Sequence, residues 1–187
     1  ATIATGGFWI IAYIGEIARR WANEQQERIQ RDAMLGFSFS PDVLKQVMNN
    51  RDMIQPRGGN IAILLSDLRG FTSICETMQP DRVFELLNRL FGIETEEALR
   101  KNGSLRPFAG DQFIAYWGAP ELCADSADRA LGVAMEICRT LAQRQQGQQA
   151  DEIDRLLQIG IGLHFGPGLV GHVGSRQYRD YNILGDL

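Results

Sequence analysis

The order of hydrophobic patterns constrains this chain more than any other feature. A strand-type run, "NIAILLSD" (residues 60–67), precedes a helical pattern that opens at Pro80 and stops at Gly103. Val83, Leu86, Leu87, Leu90, Ile93 and Ala98 recur on one side of that helix. Two shorter strand-type runs follow, "SLRPF" and "QFIAYWG", joined by a turn at "AGD". A second amphipathic helix, "SADRALGVAMEICRTLAQRQ", leads into a polar loop, "GQQADEIDR". "LLQIGIGLHFG" and "PGLVGHVG" are strand-like and meet at a glycine–proline turn, and "YRDYNILGD" is a final strand. The order is β-α-β-β-α-β plus an extra hairpin. It predicts an α+β, ferredoxin-like design, with helices on one face of a mainly antiparallel sheet.

Upstream of this core the pattern changes. Residues 1–14 carry no charge, and Glu16 and the pair Arg19–Arg20 follow them. With Trp9, Tyr13 and Trp21 nearby, residues 1–15 are expected to be the cytoplasmic end of a transmembrane helix. The run falls short of the roughly 20 apolar residues that a full span needs. The chain opens at Ala1 rather than Met and closes at Leu187 inside a strand-like run. It is therefore expected to be part of a longer protein, anchored in a membrane with this domain in the cytoplasm. Residues 16–59 form a linker: a solvated helix suited to pairing with its own copy, then a short helix with Ser40 as N-cap and Pro41 at its first position. The domain proper is placed at residues 60–187.

Net charge is −4, with no dense basic run, so the electrostatic footprint of a nucleic-acid binder is missing. Cys75, Cys123 and Cys138 lack metal-ligand spacing and are expected to be reduced, small apolar filling. His164 and His172 sit alone in strand-like runs and are expected to pack. There is no P-loop lysine motif, and "GIGLHFGPG" lacks dinucleotide-fold spacing.

Two carboxylates stand out. Asp67 ends the first strand and Asp111 occupies the tight turn "FAGDQF". The topology can bring both to one edge of the sheet, where two close carboxylates repel unless a cation lies between them. Mg²⁺, a hard cation held by carboxylates and substrate phosphates, suits such a pair. After Asp67, "LRGFTS" leads into a helix whose amides can face an anion, and Gly70 allows close approach. Carboxylates for metal beside amides for phosphate suggest a nucleoside triphosphate site. On spacing alone the alternative stands equally: Asp67 as a helix N-cap and Asp111 as an ordinary turn residue.

The motifs "SDLRGFTS", "NRLF", "FAGDQFIAYWGAP", "DRAL", "IGIGLHFGPGLVGHVGS" and "RDYNILGD" occur in order through residues 60–186. Together they resemble the class III nucleotide cyclase catalytic domain, the adenylate and guanylate cyclase family. "FSFSPDVLKQVM" is similar to the segment before such domains in membrane-bound bacterial members. The resemblance implies two ions, Mg²⁺ or Mn²⁺, held by Asp67, Asp111 and the backbone carbonyl of Leu68. It implies amides around Gly70, Phe71 and Thr72 for the terminal phosphates, and a homodimer whose sites are shared between chains. The implied reaction is attack of the nucleotide's 3′-hydroxyl on its own α-phosphate with loss of pyrophosphate, with ATP expected over GTP on family frequency alone.

The chain departs from the family pattern in places. Pro107 stands where adenylate cyclases carry a base-reading lysine, and it has neither a side-chain donor nor an N–H. Arg106 is adjacent, but strand alternation argues against it as a substitute unless a bulge intervenes. The second base-reading position is Asn182, whose amide both donates and accepts. The family's catalytic Asn and Arg fall beyond Leu187, so the chain as it stands is expected to lack turnover. The competing expectation is a degenerate cyclase-like module that dimerises and signals without catalysis.

Overall fold

In a computed structural model of the chain, residues 55–174 and 179–185 are described, with residues 16, 43–45 and 49 besides. The expected membrane end and most of the linker lie outside them. Among the described residues no helix is long and apolar enough to cross a membrane.

Among the described residues nine elements follow Gln55. Strand β1 (Arg57–Leu68) leads to a short helix α1 (Phe71–Thr77) and a long helix α2 (Pro80–Arg100). Strands β2 (Ser104–Leu105) and β3 (Phe113–Trp117) precede α3 (Ser126–Gln146) and the single turn α4 (Glu152–Leu156). Strands β4 (Ile159–Gly174) and β5 (Arg179–Leu184) complete the sheet. The strand order is β2-β3-β1-β4-β5, and every pairing is antiparallel. The first four strands have the ferredoxin-like arrangement, and β5 adds an outer strand.

Alternation along β1 builds the two faces. Ala62, Leu64 and Leu68 point to the helix side and are buried with Leu86, Leu90, Phe113, Val133 and Ile137 in one core. Ile63 and Leu65 point to the open side, where they lie opposite His164 and Gly162 of β4. On α2 the expected Leu86, Leu90, Ile93 and Ala98 are buried, while Val83 and Leu87 are only half-buried. Glu94 and Glu97, polar positions on the same stripe, are buried as well.

Several expectations change. The strand begins at Arg57, three residues before Asn60. The anticipated glycine–proline turn does not form: β4 is one sixteen-residue strand that runs through Pro167 opposite Asn60. Proline lacks an N–H, but β5 pairs with β4 only from Leu169 onward, so the outer edge is still open at Pro167. The hairpin is therefore β4–β5. The polar loop holds α4, capped by Asp151, whose carboxylate accepts the N–H of Asp154 at 2.8 Å. Arg89 of α2 donates to Asp151 at 2.7 Å and to Asp154 at 3.0 Å, clamping α4 to α2. Cys75 and Cys138 are exposed, and only Cys123 packs against the core. His164 is exposed on the open face rather than packed.

β4 and β5 also carry an apolar stripe. Leu163, Phe165, Leu169 and Leu184 share the helix side of the sheet and remain exposed there.

Candidate active site

β1 delivers Asp67 to the end of the sheet, exposed on its open side. β3 lies beside β1 in the register Ser66↔Phe113, so the turn before Phe113 closes over the end of β1. That turn is fixed by Gln112 N–H donating to Ala109 O at 3.1 Å. Phe108 stacks on Phe91 of α2, with centroids 4.1 Å apart and planes 2° from parallel, and lies 6.3 Å from Phe113. The stacked rings hold the turn against the core. The sequence signal for them was the pair "PF" ahead of "AGD", which spacing alone did not connect to α2.

The turn brings Asp111 to Asp67. The Leu68 N–H donates to Asp111 Oδ2 at 3.3 Å, and the Asp67 and Asp111 carboxyl groups are close enough to act on each other. Partial burial, and then the Asp67 carboxyl, push the Asp111 carboxyl above the ordinary carboxylate range. Its own N–H and that of Leu68 pull the other way. Two neighbouring acidic groups favour a cation, which would remove the part of the rise that comes from Asp67. Among the described residues no group of three or more His, Cys, Asp or Glu side chains is placed to hold a metal. The site offers two carboxylates and leaves the other coordination positions to backbone, substrate or water, a donor set suited to Mg²⁺ or Mn²⁺.

The amides lie next to the carboxylates. Gly70 is the residue before α1 and adopts φ 72°, ψ 20°, the left-handed region where glycine is at home. Asp67 is therefore not the cap of α1, and no side chain caps it. The first helical bond runs from Ile74 N–H to Gly70 O at 3.1 Å. By helix geometry the N–H groups of Gly70, Phe71 and Thr72 precede it and are left for another acceptor. Arg69 pins this loop to the start of β4: its N–H donates to Gln158 O, just before the strand, at 2.7 Å and its Nε to Ile159 O at 3.3 Å. Sequence reasoning missed that anchor.

The base-reading positions are elsewhere. Asn182 is on β5 opposite Gly171, and its Oδ1 accepts the N–H of Ile183 at 2.8 Å. Pro107 is exposed, in the loop after β2. Arg106, whose N–H donates to Ile114 O at 3.0 Å, extends the β2–β3 ladder by one residue.

Residues 53–187 match the family model of the adenylate and guanylate cyclase catalytic domain. The chain belongs to this cyclase family. The fold agrees with solved members. The guanylyl cyclase Cya2 is 34% identical with a TM-score of 0.64, over 71% of this chain and 66% of that one. The adenylyl cyclase CyaB from P. aeruginosa is 25% identical with a TM-score of 0.61, over 71% and 68%. Adenylate cyclase 1 of Rhizobium meliloti (strain 1021) is 27% identical over 83% of this chain and 24% of its own length. Against an uncharacterized Mycobacterium tuberculosis protein, 29% identical, this chain covers 31% of the relative's length. The chain thus spans less than a third of the length of these curated relatives.

Proposed function

We propose that the domain cyclises a purine nucleoside triphosphate, ATP or GTP, to the 3′,5′-cyclic nucleotide with release of pyrophosphate. The observation that carries this reading is the meeting of Asp67 and Asp111 beside the N-terminus of α1, which no side chain caps. The relatives include enzymes named for each nucleotide, so likeness to them does not choose between ATP and GTP.

On this reading Asp67, Asp111 and the Leu68 carbonyl hold two divalent ions, and the amides of Gly70, Phe71 and Thr72 take the terminal phosphates. The ions, when bound, supply charge neutralisation at the reacting phosphate and acidify the attacking hydroxyl. The chain's own part is to hold the two carboxylates together and to offer donors where pyrophosphate charge develops. A homodimer with sites shared across it, and attachment through the apolar residues 1–15 with the domain in the cytoplasm, complete the proposal.

The test is product formation with ATP and with GTP, each with Mg²⁺ and with Mn²⁺, by a polypeptide continued beyond Leu187. Cyclic nucleotide is expected, and Asp111→Ala should lower turnover at least 100-fold, on the order of what the loss of an electrostatic stabiliser costs. No product in any combination, with the dimer intact, overturns the enzyme reading in favour of a non-catalytic signalling module. Turnover that survives Asp67→Ala overturns the metal assignment.

A further inference from the structure

The curled sheet encloses a second feature. Arg106 lies at the β2 edge and Ile183 on β5 at the other edge, yet both line one cavity of about 330 Å³. Ile63, Leu65 and Ile114 form an apolar floor, and His164 stands beside them. The register explains the grouping. Leu65 lies opposite Ile114, Ile63 opposite His164, and Ile183 opposite Val170 of the same face. Arg106 joins this face because its N–H continues the ladder to Ile114 O, while β2 itself stops at Leu105. The alternation that argued against Arg106 therefore places it on the cavity side. Neither Pro107 nor Asn182 is among the lining residues.

We infer that this cavity takes the purine base of the substrate and that the Arg106 guanidinium reads it as guanine, making GTP the preferred nucleotide. This rests on the cyclase reading above and deepens it. The size falls at the lower end of small-molecule sites, about 300–1,000 Å³, which are mostly apolar with a few polar groups that fix orientation. Aliphatic walls suit the faces of a flat ring. A guanidinium can only donate hydrogen bonds, in a planar fork. Guanine presents two adjacent acceptors, O6 and N7, and accepts that fork with both. Adenine presents N7 next to an amino group, which sets donor against donor. A donor-only residue in an apolar pocket thus discriminates against adenine, because one of the opposed donors stays unpaired.

The experiment is equilibrium binding of GTP, ITP and ATP to the whole chain with Mn²⁺, by competition against a fluorescent nucleotide, with no turnover required. ITP keeps O6 and N7 but lacks the 2-amino group. GTP and ITP should bind about tenfold more tightly than ATP, as one bidentate pair provides. Arg106→Ala should weaken GTP and ITP to the level of ATP and leave ATP within about twofold. Arg106→Gln, which adds an acceptor, should recover ATP relative to GTP. A circular-dichroism melt checks that each variant is folded. If ATP binds as tightly as GTP, or Arg106→Gln weakens all three nucleotides equally, the assignment of Arg106 is overturned and the cyclase reading stands. If no nucleotide binds, both fall.

Discussion

Glu94 shows how a single residue can set the conditions under which this domain is stable. It is fully buried on α2, beneath β1, and accepts a short hydrogen bond from the Ser66 hydroxyl. Its Oε2 has no partner among the described residues. Burial, opposed by the Ser66 bond, pushes its pKa from 4.5 to about 7. The folded state therefore holds this proton more tightly than the unfolded one. The associated stability is full below about pH 4.5, is lost as pH rises to about 7, and changes no further above that. The shift corresponds to about 3 kcal/mol. Urea unfolding of the chain at pH 5 and pH 8 should show the loss, and Glu94→Gln should flatten it, with the variant the more stable at pH 8. An unchanged slope in the variant would assign the pH dependence to other groups. Composition and periodicity did not reveal this residue. Glu94 sits among glutamates in "ETEEALRK", and only the packing of α2 separates it and the buried Glu97 from the exposed Glu96. Asp67 and Asp111 were legible because each ends or turns an element whose partner the topology supplies.

At the scale of elements, glycine-to-alanine changes should have opposite signs in two places. Gly118 follows β3 with φ 98°, and a Cβ there would lie 2.5 Å from the Asn60 carbonyl oxygen of β1. Gly118→Ala should destabilise by about 2 kcal/mol or more, from left-handed backbone cost plus the clash. Gly92 is on the exposed side of α2, and a Cβ there would meet nothing within 4 Å. Gly92→Ala should stabilise by about 0.5–1 kcal/mol through helix propensity. Thermal melts of the two variants check both signs. The two long helices, α2 and α3, were legible from their 3.6-residue period, whereas α4 was read as loop. Strand β4 was not. A Gly-Pro dipeptide is a local turn signal, and what overrides it is non-local, namely the pairing of every residue from Arg57 to Leu68 with a residue on β4. Arg106 keeps strand alternation although β2 is only two residues long, because its N–H continues the ladder to Ile114 O.

For the whole molecule, the unbroken register between β1 and β4 joins the two ends of the proposed site. Leu68, next to the carboxylates, pairs with Ile159, and Arg57 pairs with Val170, which in turn pairs with Ile183 at the cavity. The register is also a rule of parity. Side chains along a strand alternate in direction, so removing one residue from β4 reverses the direction of everything beyond it. Deleting Gly166 would turn the cavity side toward the helices on one half of the strand, and the chain should be recovered unfolded or insoluble. Deleting Gln149, in the exposed turn between α3 and α4, should leave a soluble domain whose melting temperature moves by a few degrees. Equal solubility of the two deletions would show that β4 re-registers freely. Length in this strand is thus counted in twos: a descendant of this gene can lengthen or shorten β4 only in even steps, while its loops can change one codon at a time.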